Sequence, residues 1–224
     1  MNAEDFMLAA AYGDEAEARE ALAIDSSLGR ARNEAGVSVV AATVYAGRLS
    51  FAQEIANTRH DLDLFEAACV GDTERVLAVL DKSPDMIDDA APDGFAAVGF
   101  AAFFGHRELL EALIQRGAAL EVPARNAMQV RPIHSAVAHA DPTLALTLAR
   151  ALLDAGADPN AQQQGGETPL HEAVYNESEA LIELLLANGA DAHLRNEAGQ
   201  SPLEQAREEG KDRIAARLTA SVLE

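Results

Sequence analysis

Small residues punctuate this chain at a spacing that excludes most folds. Gly13, Gly47, Gly71 and Gly105 are 34, 24 and 34 residues apart, and Ala140, Glu177 and Gly210 continue the series at 35, 37 and 33. Each lies between two short runs with helical apolar spacing, so each marks the turn of a helix–turn–helix unit. A period of 33–34, with one deletion and some insertions, is that of a helical solenoid and not of a coiled-coil heptad. A unit of that kind buries its apolar face only against its neighbours. Hydrophobic residues make up 49% of the chain, yet aromatics only 4%, and Trp is absent. The core must therefore be built from Ala, Leu, Val and Ile, as closely stacked short helices require.

The clearest unit begins at Gly166. It reads Gly-x-Thr-Pro-Leu-His-x-Ala through Ala173, then Leu184-Leu185-Leu186 and Asn188-Gly189-Ala190-Asp191. Thr168 can cap a helix with its hydroxyl, and Pro169 then occupies the first helical position, where no amide donor is needed. Leu170 and Ala173 are three apart and share a face. Gly189 suits the left-handed conformation of a helix stop. This stretch resembles the ankyrin repeat. The resemblance implies that His171 bonds to the backbone of adjacent turns. It also implies an all-α ankyrin-repeat solenoid of about seven helix–turn–helix units, caps included, with short β-finger hairpins.

The expected organisation is a single domain over 1–224. An N-terminal cap covers about 2–32, with Phe6, Leu8 and Ala9 on its first helix and Ala18, Leu22 and Ile24 on a second that Asp14 caps. Repeats follow at about 33–57, 58–90, 91–125, 126–162 and 163–195, and a C-terminal cap at about 196–224. The 24-residue step lacks the length of a loop and finger, which predicts a tight turn at Asn57-Thr58-Arg59-His60. In the fifth unit, extra residues around His139-Ala140-Asp141-Pro142-Thr143 precede a helix restarted by Asp141 as cap and Pro142 as first residue. In the last unit Glu204 stands where the motif has His.

The formal net charge is −20, from 37 acidic and 17 basic residues. Phosphate backbones are repelled by such a chain, which argues against nucleic-acid binding. The acidity has two readings, solubility of an open surface and attraction to a basic partner. No run reaches the ~20 apolar residues of a membrane span. One cysteine, Cys69, rules out an internal disulfide framework, and with Glu4 and Asp5 where a signal peptide carries basic residues, a cytoplasmic protein is expected. Two Lys against 15 Arg in an Ala-rich chain is an association with GC-rich bacterial genomes.

No catalytic, metal or cofactor constellation emerges. The six histidines form no H-x-x-x-H or H-E-x-x-H pair, and no G-x-x-x-x-G-K-[ST] or G-x-S-x-G is present. The expectation is a non-enzymatic module that binds a protein as inhibitor, chaperone or scaffold. The alternative is a small-molecule sensor or enzyme with a pocket near the shortened junction at 57–69, close to His60 and Cys69.

The family's concave surface, made of finger tips and the last turns of first helices, is where the resemblance places a partner. Carried onto this chain, those positions select Tyr12, Tyr45, Phe95, Phe103, Phe104, Met128, His139 and Tyr175. All three tyrosines and three of seven phenylalanines fall there, the residue types that anchor interfaces. For Phe103 and Phe104 the sequence leaves open whether the rings face a groove or pack between units. A monomer is expected, with weak self-association through the same groove left open.

Overall fold

The computed structural model describes residues 1–220. Among them are fourteen α-helices and no strand, so the all-α expectation holds. The last four residues of the expected C-terminal cap lie outside the described residues. The chain divides into two compact units, Met1–Phe100 and Ala101–Glu224.

The first unit contains α1 (Ala3–Tyr12), α2 (Glu15–Ile24), α3 (Val39–Tyr45), α4 (Leu49–Asn57), α5 (Leu64–Val70) and α6 (Thr73–Lys82), and ends inside α7 (Ala97–Phe103). First helices pack in a row, α1 on α3 and α3 on α5, and each also packs on the second helix of its own pair. The helices start where short polar side chains can accept orphan amides. Asp14 accepts from the amides of Ala16 and Glu17, Ser38 from Ala41, and Asp72 from Arg75. Alanines allow the close approach: Ala10, Ala52, Ala67 and Ala68 are fully buried. Of the apolar residues expected along the first pair, Phe6, Ala18 and Leu22 are buried, but Leu8 and Ile24 are exposed. Phe6, Met7, Ala10 and Ala11 form the buried face of α1 instead. Among the described residues α1 packs on α2 and α3, and one buried stripe serves those contacts.

The deletion after α4 is filled by charge. Only Thr58–Asp63 separate α4 from α5, as the short step predicts. Arg59 and Glu66 are 5% and 2% exposed. Arg59 Nη1 donates to Glu66 Oε1 at 2.8 Å and to the Gly29 carbonyl at 2.9 Å, while Nε reaches Asp61 at 3.1 Å. Arg32 Nη2 lies 3.2 Å from the same Glu66 oxygen and 2.7 Å from Asp63. Arg30 and Arg59 together hold the Asp61 carboxyl down at about 2.

The second unit contains α8 (Arg107–Gln115), α9 (Pro132–Val137), α10 (Pro142–Asp154), α11 (Pro169–Tyr175), α12 (Glu179–Ala187), α13 (Pro202–Glu208) and α14 (Asp212–Ala220). First helices α9, α11 and α13 form one row, and second helices α8, α10 and α12 another. Leu109, Leu110, Leu113, Leu148, Leu152 and Leu185 fill the second row and are fully buried. Asp141 caps α10 as expected, accepting from the amides of Thr143 and Leu144. Thr168 caps α11, and His171 bonds back to the Thr168 amide through Nδ1 at 3.1 Å and on to the Gln200 carbonyl through Nε2 at 3.1 Å. That is the role the resemblance implies for it.

The fingers are shorter than hairpins. In the first unit they reduce to isolated bridges, Arg32 with Ser38 and Ala90 with Ala96. In the second unit successive fingers join through the main chain: the Gln164 amide donates to the Met128 carbonyl at 3.0 Å, and the Glu197 amide to Gly165 at 2.8 Å.

Candidate protein-binding surface

The buried stripe of α1 fixes what its other side presents. With Phe6, Met7, Ala10 and Ala11 turned inward, Leu8 and Tyr12, four residues apart, share an outward face and are 58% and 75% exposed. They border a groove of about 440 Å³ whose far wall is the finger residues Arg32, Asn33 and Glu34. Tyr45 ends α3 and is partly exposed, but its hydroxyl donates to Asp93 Oδ2 at 2.8 Å. Burial, then the Asp93 charge, pushes the phenol's ionisation well up. Phe95 is half-buried and stacks on Phe100 with ring centres 5.7 Å apart, so it contributes to packing.

In the second unit the question left by Phe103 and Phe104 resolves into a split. Phe103 is exposed and Phe104 half-buried, their rings edge-to-face at 5.1 Å. Phe104 also lies 6.2 Å from the His106 ring. His139 is half-buried, its Nδ1 accepting from the Asp141 amide, and its Nε2 would stand 2.7 Å from any Cβ at Gly105. Met128 is exposed on the loop before α9, next to Gln129, a non-glycine residue with φ 50. Tyr175 is exposed at the end of α11, with Lys211 Nζ 5.7 Å from its ring centre.

Sequence reasoning missed Leu8 on this surface. The signal was its spacing of four from Tyr12. It also missed that two of the turn glycines, Gly47 and Gly210, are followed by cations. Arg48, after Gly47, donates to the carbonyls of Ala9, Ala10 and Gly13. Lys211, after Gly210, donates to those of Val174 and Tyr175. Both place a cation on the C-terminal carbonyls of a preceding first helix and complement its dipole.

The junction at 57–69 holds a cavity of about 20 Å³ bordered by Arg32, Asp63, Glu66, Cys69 and Asp93, room for about one water. His60 is exposed and does not line it. Cys69 is buried, which pushes its thiol up. Among the described residues no group of three or more His, Cys, Asp or Glu could hold a metal ion, and no helix is long and apolar enough to cross a membrane.

Comparison with known proteins agrees with this geometry. A family profile described as "Ankyrin repeats (many copies)" matches residues 152–206, from the end of α10 into α13. E3 ubiquitin-protein ligase KEG from Arabidopsis thaliana is 35% identical over 104 residues, 46% of this chain and 6% of that protein. Ankyrin repeat domain-containing protein 53 from Homo sapiens is 37% identical over 109 residues, 48% of this chain and 20% of that protein. The matched stretch is thus a small part of either relative. The capped helix pairs, the His171 bridge and these matches together show that the chain carries ankyrin repeats.

Proposed function

We propose that the chain is a non-catalytic, cytoplasmic module that binds a partner protein through the first-helix ends and finger tips of its repeats, as an inhibitor, chaperone or scaffold. Ankyrin repeats are in general protein–protein interaction modules. One observation carries the reading for this chain. Of the large apolar side chains exposed among the described residues, Tyr12, Tyr45, Phe103 and Tyr175 end first helices, Met128 lies on the loop before α9 and Leu8 beside the α1 groove, while Met1, Ile24 and Val122 are exposed elsewhere. Aromatic groups left in water at four first-helix ends support an interaction surface there.

Affinity capture from the lysate of the source organism tests it, comparing the wild-type chain with Phe103→Ala/Tyr175→Ala and with Leu8→Ser/Tyr12→Ser. All four side chains are exposed, so circular dichroism should show every variant folded. A defined partner held by the wild type, and bound at least about tenfold more weakly by one of the double variants, supports the reading. Equal binding by all three chains, or no partner at all, overturns it.

A further inference from the structure

We propose that the groove beside α1 receives a basic segment of a partner protein, in which one apolar side chain seats between Leu8 and Tyr12 and is flanked by lysine or arginine. The inference rests on the protein-binding reading and specifies the partner's chemistry at one place.

Shape comes first. The groove's volume of about 440 Å³ lies in the range of built ligand sites. Its floor is Met7 and Ala11, which are buried, and its lip is Leu8 and Tyr12, which are not. The neighbouring helix α2 turns charged residues to water, Glu15, Glu17, Arg19 and Glu20. Leu8 and Tyr12 instead leave apolar groups exposed on the side of this helix pair that borders the groove.

Charge then selects the occupant. Glu4 and Glu34 sit on opposite rims, and neither has an ion-pair partner among the described residues. The one basic lining residue, Arg32, is committed: Nη1 donates to the Gly36 carbonyl, and Nη2 pairs with Asp63 and Glu66. The groove therefore presents uncompensated negative charge around an apolar centre. The surrounding residues 1–100 add to it, with 19 acidic against 7 basic side chains, a net −12. A second groove, of about 300 Å³ between α12 and α14, shows the opposite design. There Glu179 pairs with Arg213 at 2.9 Å and Glu183 with Arg217 at 3.6 Å, which leaves no charge to complement.

The test uses the full chain and three labelled peptides in fluorescence anisotropy. One has a central phenylalanine flanked by lysine pairs, the second replaces phenylalanine by serine, and the third replaces the lysines by glutamates. The first should bind, and the other two at least about tenfold more weakly. Leu8→Ser/Tyr12→Ser should lower affinity for the first peptide about tenfold. Glu4→Gln/Glu34→Gln should lower it severalfold and flatten its salt dependence. Glu74→Gln/Asp85→Asn removes the same charge elsewhere on the first unit and should leave affinity unchanged. No binding of the first peptide, equal binding of the glutamate peptide, or an equal loss in the Glu74/Asp85 variant overturns the proposal. A cellular partner kept in full by Leu8→Ser/Tyr12→Ser but lost by Phe103→Ala/Tyr175→Ala overturns this site and leaves the protein-binding reading standing.

Discussion

Helices α5 and α11 begin alike and are supported in different ways. In both, the third residue after the cap reaches back to the cap's own amide: Glu66 Oε2 accepts from Asp63 at 3.2 Å, and His171 Nδ1 from Thr168 at 3.1 Å. The free end of that side chain makes the difference. His171 reaches forward, to a carbonyl of the following turn. Glu66 turns to Arg59 and Arg32, which precede it in the chain. Glu204, at the same position in α13, also accepts from its cap amide and pairs with a preceding arginine, Arg195. The lesson is that this position needs an acceptor for the cap amide, whereas its second contact follows what the neighbouring turn supplies. After α4 the finger is deleted, and a buried guanidinium takes the space.

The two glutamates differ in burial, and that sets the largest predicted contrast. Arg59→Met should cost about 3 kcal/mol, because it leaves Glu66 buried with a weakened set of partners. Arg195→Met removes the matching partner of Glu204, where both side chains are substantially exposed, and should cost less than about 1 kcal/mol. Urea unfolding of the two variants against wild type measures both. Equal losses would break the comparison and make the junction an ordinary surface pair.

Where fingers are present, their stacking should be the weak point. Gly166 has φ 74, and a Cβ there would stand 2.8 Å from the Glu197 amide nitrogen and 3.0 Å from the Asn196 Cα. Both are backbone atoms, which cannot step aside. Gly189 has φ 89 but open space around it. Gly166→Ala should therefore cost about 3 kcal/mol, strain plus clash, and Gly189→Ala about 1 kcal/mol, strain alone. Thermal melts separate them, and a similar loss in both would show that finger contact carries no stability.

The repeat that carries His134 should also respond to acid. In α9, His134 stands where His171 stands in α11: Nδ1 accepts from the Arg131 amide at 3.3 Å and Nε2 lies 3.0 Å from the Ala161 carbonyl. Burial first, then the Arg131 charge, lowers its pKa to about 4. A proton added at Nδ1 would face an amide donor. The unfolded chain, with an ordinary histidine near 6.5, takes up that proton earlier. Stability is thus full at neutral pH and falls as pH drops from about 6.5 towards 4, by about 2 kcal/mol between about pH 7 and pH 5. His134→Gln should flatten this slope in urea titrations at the two pH values. An unchanged slope would assign the acid response elsewhere.

Much of the frame was legible because it depends on local chemistry. Asp14, Asp72, Asp141 and Thr168 cap helices because a short acceptor precedes an apolar-periodic run, and the 24-residue step shows the missing finger directly. The surface was legible only in part. Tyr12, Met128 and Tyr175 are exposed as their positions suggest, and Phe103 is exposed where the sequence left the outcome open. Phe95 is drawn onto Phe100, and Tyr45 onto Asp93, by contacts that no spacing encodes. The junction ion pair was hidden for the same reason: Arg59 and Glu66 look like two more charged residues in an acidic chain until the deletion brings them under cover.

The smallest effect concerns a turn where a side chain, not glycine, takes the left-handed conformation. Between α11 and α12 the turn position belongs to Glu177, with φ 53, whereas Gly47, Gly71, Gly105 and Gly210 hold φ between 71 and 79 at the equivalent places. A side chain in that region meets its own carbonyl, at a cost of roughly 1 kcal/mol. The Glu177 carboxylate returns little of it, since its contact to Lys211 is 3.8 Å long and the side chain is 68% exposed. Glu177→Gly should therefore raise stability by about 0.5 kcal/mol, the relief of strain exceeding the added freedom of the unfolded chain. Glu177→Gln keeps the strain and removes the charge, so it should leave stability unchanged. If Gln destabilised as much as Gly stabilised, the charge on Lys211 would be what holds this turn. Lys211 would still carry the carbonyls of Val174 and Tyr175, and the ends of α11 and α13 would then be coupled through one ammonium group.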